Sequence, residues 1–201
     1  MEITTPHGPA VAEIDEVDDP RFLLVLTHGS GGGVDVPDLL AVREATAGIG
    51  GVVVRVLQPF RIRGARAPGS AAKQDEAWTA LVGELRRRYP GLPLVQGGRS
   101  NGARVACRTA LEVRAEAVVA LAFPLHPPGR PDRSRAGELR AAGVDVLVVN
   151  GARDPFGVPG AADAARLVVL PGEGHDLKKD PARVGEVVAE WLEARMRPGS
   201  A

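Results

Sequence analysis

A hydroxyl, an imidazole and a carboxylate, the three groups that together perform acyl transfer, stand in this sequence in a constrained order. The hydroxyl is that of Ser100 in Gly97-Gly98-Arg99-Ser100-Asn101-Gly102, a Gly-x-Ser-x-Gly pattern. Such a pattern suits a strand that turns sharply into a helix with the serine at the apex, where flanking side chains would collide with neighbouring chains. With 25 glycines in 201 residues, the pattern alone says little. Its setting says more: the run Pro93-Leu-Val-Gln96 precedes it as a strand, and an Ala-rich helical segment follows.

The carboxylate is Asp154 in Asn150-Gly-Ala-Arg-Asp-Pro-Phe-Gly157, directly after the apolar run Val144–Val149. There it can orient an imidazole and stabilise its cation, or cap a turn before Pro155. The imidazole is that of His175 in Gly172-Glu-Gly-His-Asp176, after the run Arg166–Leu170. His126, in Pro124-Leu-His-Pro-Pro128, competes for the role of base. Chain order favours His175: serine, then acid, then histidine, each after its own strand, whereas His126 precedes the acid. His126 stays a candidate for the wall of a substrate pocket.

Attack on an acyl carbonyl puts negative charge on its oxygen, which calls for two backbone N–H donors. One is that of Asn101, next to the serine. The other falls in His28-Gly29-Ser30-Gly31, which closes the apolar run Phe22–Thr27; Ser30 is the first choice and Gly31 the neighbouring one. A glycine-rich turn between strand and helix also cradles phosphate. Here Val34 stands where a dinucleotide loop needs its third glycine, and the strand Val52–Leu57 ends without an acidic ribose ligand. No Gly-Lys dipeptide occurs, so there is no P-loop.

These residues need a scaffold that brings strand ends together. Short apolar runs alternate with helical patterns, the mark of an α/β chain with a parallel sheet. Strands are expected at Val11–Val17 (an edge), Phe22–Thr27, Val52–Leu57, Pro93–Gln96, Ala117–Phe123, Val144–Val149 and Arg166–Leu170. Helices are expected at Pro37–Ala47, Lys73–Tyr89, Asn101–Arg114, Arg135–Ala142, a short one near Ala161, and Pro181–Met196. The expected architecture is one domain over residues 1–201, with a single open, mostly parallel sheet flanked by helices. The segment Pro124–Gly143 is too short for a lid domain.

Composition narrows the partners. Hydrophobic residues make up 44% and charged residues 25%, with a net charge of +0, so no bulk attraction to nucleic acid or anionic membrane is expected. The single cysteine, Cys107, permits no internal disulfide, suggests no metal cluster, and reads as a core residue. Trp78 and Trp191 lie on helices and are expected to pack on the sheet. No run approaches the roughly 18 apolar residues of a membrane span, and the first residues lack the basic and apolar parts of a signal peptide. A cytoplasmic monomer or homodimer is expected. Arg61, Arg63 and Arg66, in the loop Arg61–Ser70, and Arg99 beside the serine are candidates to bind an acidic substrate group. The competing reading is a solvated arginine-rich loop, with Arg99 in a structural ion pair.

With these residues in view, the sequence resembles the α/β-hydrolase superfamily over essentially its whole length. More narrowly, it resembles a branch of compact hydrolase-like proteins. That branch includes bacterial members, a testis-expressed vertebrate protein and the third regulatory subunit of the NSL histone acetyltransferase complex. The resemblance rests on Thr27-His-Gly-Ser-Gly-Gly32, Gly97-Gly-Arg-Ser-Asn-Gly102, Phe123-Pro-Leu-His-Pro-Pro-Gly129 and Gly151-Ala-Arg-Asp-Pro-Phe-Gly157. It implies that Ser100, Asp154 and His175 form a catalytic triad. The implied enzyme is an esterase-type serine hydrolase that needs no metal or organic cofactor and acts on a small-molecule acyl ester. The chain also resembles dienelactone hydrolases in size and layout, but those use cysteine where Ser100 stands. Some relatives serve as complex subunits, so a non-catalytic binding or scaffold protein is the competing reading.

Overall fold

The computed structural model describes residues 1–65 and 67–196. Its strands are β1 (Glu2–Thr5), β2 (Gly8–Asp15), β3 (Phe22–Thr27), β4 (Gly51–Leu57), β5 (Leu94–Arg99), β6 (Ala117–Leu121), β7 (Asp145–Gly151) and β8 (Arg166–Leu170). Its helices are α1 (Pro37–Ala47), α2 (Pro59–Ile62), α3 (Ala71–Arg88), α4 (Asn101–Thr109), α5 (Ala136–Arg140) and α6 (Pro181–Arg195). These strands form one open sheet in the order β1-β2-β4-β3-β5-β6-β7-β8. Strands β3 to β8 run parallel to one another, and β2 pairs antiparallel with both β1 and β4. The α/β fold with its mostly parallel sheet is therefore as expected, and among the described residues no lid domain covers it.

The continuous apolar run of β3 has a simple cause: it is buried on both faces. Leu23 and Val25 join one core layer with Trp78, Leu81 and Leu85 of α3 and Ala103 and Ala106 of α4. Phe22, Leu24 and Leu26 join the other, with Leu39 and Val42 of α1 and Val184, Val187 and Val188 of α6. Trp191 is buried in that second layer, with Arg195 over its ring.

Helix α1 leads from β3 outward to β4, whereas β5, on the other side of β3, leads away to β6. The winding thus reverses between β3 and β5, and the crevice beyond their carboxyl ends is where open sheets of this kind bind ligands. Ser30 follows β3 and Ser100 follows β5, so topology alone puts the two candidate elements at that crevice.

One buried polar residue secures the strand that feeds Ser100. Gln96 of β5 accepts a hydrogen bond from Trp78 Nε1 at 2.7 Å and donates to the Ala106 carbonyl at 2.7 Å and to Thr109 Oγ1 at 3.2 Å. It therefore pins both α3 and α4 to β5 inside an otherwise apolar layer.

Several element boundaries differ from those expected, among them the end of β5, which runs on from Gln96 to Arg99. A strand precedes the expected edge, because Thr5 Oγ1 donates to the Gly8 carbonyl at 2.6 Å and Gly8 takes φ 103°, folding residues 2–15 into a hairpin. The edge strand itself is Gly8–Asp15 and not Val11–Val17. The first residues of the loop expected from Arg61, Arg61 and Ile62, instead end the short helix α2, with Pro59 in its first turn. Helix α4 stops at Thr109 and not Arg114; turns follow, and Arg114 has φ 55°. Arg66 lies outside the described residues. Among the described residues no helix is long and apolar enough to cross a membrane.

Replacing Gln96 by Leu would leave the buried Trp78 N–H without its acceptor. The expected result is a loss of about 2 kcal/mol of unfolding free energy, read as a lower urea midpoint at unchanged slope. An unchanged midpoint would show that Gln96 does not secure the two helices.

Candidate active site

Strand β5 ends at Arg99 and α4 begins at Asn101, so the whole reversal falls on Ser100. Ser100 has φ 53° and ψ −115°, a region that a residue with a Cβ occupies at a cost of about 1–3 kcal/mol. It is held there by its N–H to the Leu121 carbonyl at 2.9 Å, and its own carbonyl accepts from Arg104 N at 3.3 Å. The glycines at either side permit the approach of β3. A Cβ on Gly98 would lie 2.4 Å from the Thr27 carbonyl oxygen, and one on Gly102 would lie 2.7 Å from the same atom and 2.8 Å from the His28 carbonyl oxygen.

The structure brings Ser100, His175 and Asp154 into one hydrogen-bonded chain. His175 Nδ1 lies 2.8 Å from Asp154 Oδ2, and His175 Nε2 lies 2.9 Å from Ser100 Oγ. The carboxylate side chain of Asp154 is fully buried, while the imidazole is partly exposed. Asp154 Oδ1 accepts from Phe156 N at 2.9 Å, which fixes the rotation of the carboxylate. The Phe156 ring meets the His175 ring edge-on at 4.3 Å and so supports one side of the imidazole.

The loops carrying Asp154 and His175 are tied together by backbone bonds from Ala152 N to the Leu170 carbonyl and from Arg153 N to the Glu173 carbonyl. Asn150, buried at the end of β7, accepts from Phe123 N at 2.8 Å and donates to the Phe123 carbonyl at 3.1 Å. It thereby joins the ends of β6 and β7.

The Ser30 and Asn101 amides belong to residues lining the same cavity as Ser100, and neither donates to a protein acceptor among the described residues. The Asn101 side chain is held away by its Nδ2 donating to Gln74 Oε1 at 2.7 Å. Arg55, buried in β4, anchors the far end of the Ser30 loop: it donates to the Val34 carbonyl at 3.1 Å and pairs with Asp35 at 2.5 Å and Glu13 at 2.9 Å. The cavity measures about 550 Å³, and Gly29, Gly31, Pro124, Phe156 and His175 are among its walls.

Several residues that the sequence nominated for the site have other tasks. His28 is wholly buried and lines neither this cavity nor the one beside it. Its Nε2 accepts from Gln58 N at 3.0 Å, so its proton sits on Nδ1 and goes to the Gly29 carbonyl at 2.7 Å. His126 also leaves the cavity wall: its N–H bonds the Phe156 carbonyl, and its ring packs on Gly157 in the acid-bearing loop. Arg63 bonds the His7 carbonyl and lines a separate cavity of about 350 Å³ with Phe60, Lys73 and Gln74. Arg61 lines neither cavity.

Arg99 does line the cavity, but its Nε donates to Asp38 Oδ2 at 2.9 Å and its Nη2 to the His175 carbonyl at 2.9 Å. The ion pair foreseen as the alternative for Arg99 is therefore present. Its partner Asp38, fully buried in the first turn of α1, carries no sequence signal of its own. Burial raises the Asp38 pKa, and the Arg99 charge and hydrogen bond oppose that rise. Cys107 is a buried core residue whose thiol is pushed up to about 12 by desolvation, so it supplies no thiolate.

Known proteins share this fold. The model of the alpha/beta hydrolase domain family matches residues 20–193. The chain belongs to that family. The hydrolase domain is similar in fold to a lidless α/β serine hydrolase from Xanthomonas campestris, at 19% identity and a TM-score of 0.78 over 100% of this chain and 95% of that one. It is likewise similar to Est1E from Butyrivibrio proteoclasticus, solved with ferulic acid, at 19% identity and a TM-score of 0.80 over 98% and 99% of the two chains. A dienelactone hydrolase from Anabaena variabilis matches at 18% identity and a TM-score of 0.76 over 96% and 95%.

The buried His28 gives the hydrolase domain a pH dependence of known sign. Burial lowers its pKa below the ordinary 6.5; the bond to the Gly29 carbonyl opposes this, and the Arg61 charge adds to it. The unfolded chain therefore binds a proton that the folded one refuses, so stability is lost as pH falls below about 6.5. The contribution is at most about 1.4 kcal/mol per pH unit, the limit for one whole proton bound by the unfolded chain and none by the folded one. Unfolding at pH 7, 6 and 5 should show a shallower loss of stability in His28→Gln than in the parent; equal slopes would contradict a neutral buried His28.

Proposed function

We propose that this α/β hydrolase is a serine esterase, a carboxylic ester hydrolase acting through an acyl-enzyme. The observation that carries the reading is the continuous chain from buried Asp154 through His175 to the strained Ser100. Ser100 Oγ attacks the ester carbonyl carbon while His175 Nε2 takes its proton. Asp154 keeps the other proton on Nδ1 and stabilises the imidazolium. The Ser30 and Asn101 amides bind the oxyanion, with the amino terminus of α4 directed at it. Collapse of the tetrahedral intermediate expels the alcohol, which receives the proton from His175. Water, activated by the same imidazole, then hydrolyses the Ser100 acyl ester and restores the free hydroxyl.

Within the superfamily we assign the chain to the compact branch that holds the NSL complex subunit and the testis-expressed protein. The support is the segment Phe123–Gly129, whose His126 packs on the acid-bearing loop. The backbone strain at Ser100 and the burial of the Asp154 carboxylate favour catalysis over a purely scaffolding role, because both cost stability that a scaffold need not give up.

With no lid domain among the described residues, small or exposed esters are the expected substrates. Activity on methyl or p-nitrophenyl esters should fall from short acyl chains to long ones, with no jump at a lipid interface; a preference for long chains there would contradict the open site. Ser100→Ala and Asp154→Asn should each lower kcat by about 10³–10⁴-fold or more while the protein stays folded. Turnover that survives Ser100→Ala would overturn the mechanism.

A further inference from the structure

Three arginines line the cavity beside Ser100, and they are not equivalent. Arg99 is taken up by Asp38 and the His175 carbonyl. Arg104 is clamped by Glu138 through two bonds, Nε to Oε2 at 2.8 Å and Nη2 to Oε1 at 2.6 Å. Arg135 has no carboxylate partner among the described residues. Its side chain makes one bond, from Nη1 to the Pro124 carbonyl at 3.3 Å.

The surroundings leave that charge uncompensated. Among the described residues no Asp or Glu lines the cavity. Behind the wall, Arg104 and Arg108 already saturate Glu138 and Asp75, so the cluster carries one cation in excess when Arg135 is counted. Burial lowers the Arg135 pKa, the Arg104 and Arg108 charges add to that, and the Glu138 charge opposes it. A partly buried cation beside a like charge is costly until an anion joins it. The backbone there is also fixed, by Arg135 N donating to the Leu125 carbonyl at 2.7 Å.

We infer that Arg135 is a specificity residue that receives a carboxylate on the substrate, so that the preferred esters carry a carboxylate group. The inference rests on the esterase reading of Ser100 and names its substrate class. A guanidinium presents a planar fork of N–H donors that matches a carboxylate, and most of the Arg135 donors are free for it. Anion recognition thus moves from Arg61 and Arg63, where the sequence suggested it, to an arginine on the loop after β6.

The test compares kcat/KM within matched pairs: methyl hydrogen glutarate against methyl pentanoate, and the butyrate ester of 3-hydroxybenzoate against phenyl butyrate. The first pair carries the charge on the acyl side and the second on the alcohol side. In at least one pair the charged ester should be preferred about tenfold, the size expected of one charge-assisted contact. Arg135→Gln should lower that ratio about tenfold, Arg135→Lys should restore part of it, and added salt should weaken it. No preference in either pair, or a preference that survives Arg135→Gln, overturns the inference. Calorimetric binding of methyl hydrogen glutarate to Ser100→Ala, compared with Ser100→Ala/Arg135→Gln, separates the two readings. Binding that needs Arg135 without any turnover in the parent sinks the esterase alone; turnover of neutral esters with equal binding to both variants sinks the carboxylate site alone.

Discussion

The close approach of β3 to the turn between β5 and α4 is the constraint on which the site depends. The Thr27 and His28 carbonyls sit where any Cβ on Gly98 or Gly102 would have to go. Two glycines relieve that collision, and the residue between them absorbs the reversal at a positive φ. Ser100 is therefore presented by backbone geometry, before any side-chain contact is counted. The same contact brings the Ser30 loop, which continues β3, against the amino terminus of α4. Ser100 and the proposed oxyanion donors, the Ser30 and Asn101 amides, are set by one packing event.

Buried polar ties then hold the strand ends that this event brings together. His28 accepts the Gln58 amide and so locks β3 to the chain leaving β4. Asn150 locks the end of β7 to the residues after β6. Arg99 reaches from the end of β5 both to Asp38 in α1 and to the backbone carbonyl of His175. Each tie satisfies groups that would be costly if left unpaired in the interior. Their shared effect is to keep Ser100, His175 and Asp154 in register at the carboxyl edge of the sheet, where preorganisation matters most for a proton relay.

Much of this was legible in the sequence because the chemistry has a fixed chain order and the strands are buried. The run Phe22–Thr27 is almost wholly apolar since both of its faces are covered; Ser100 and Asp154 follow strands buried along most of their length, and His175 follows the part-exposed edge strand β8. What could not be read is which polar residues point where. Asp38 lies 61 positions from Arg99, and nothing in Pro37-Asp-Leu-Leu marks a buried carboxylate. His28 and His126 have the right residue type near the site, yet backbone partners turn one inward and the other onto a neighbouring loop. Arg135 sits among many arginines, and only the pairing of its neighbours sets it apart. The strand Glu2–Thr5 escapes a sequence reading for a related reason: its pairing depends on a turn closed by Thr5 and Gly8, not on an apolar run.

The central claim is that Ser100 is an activated nucleophile. Reacting the folded protein with a fluorophosphonate and mapping the adduct by mass spectrometry tests it most directly. A single adduct on Ser100, absent from Ser100→Ala and formed far more slowly by His175→Ala, is the predicted result. Folded protein that stays unlabelled beside a control serine hydrolase, or an adduct on another residue, would contradict it.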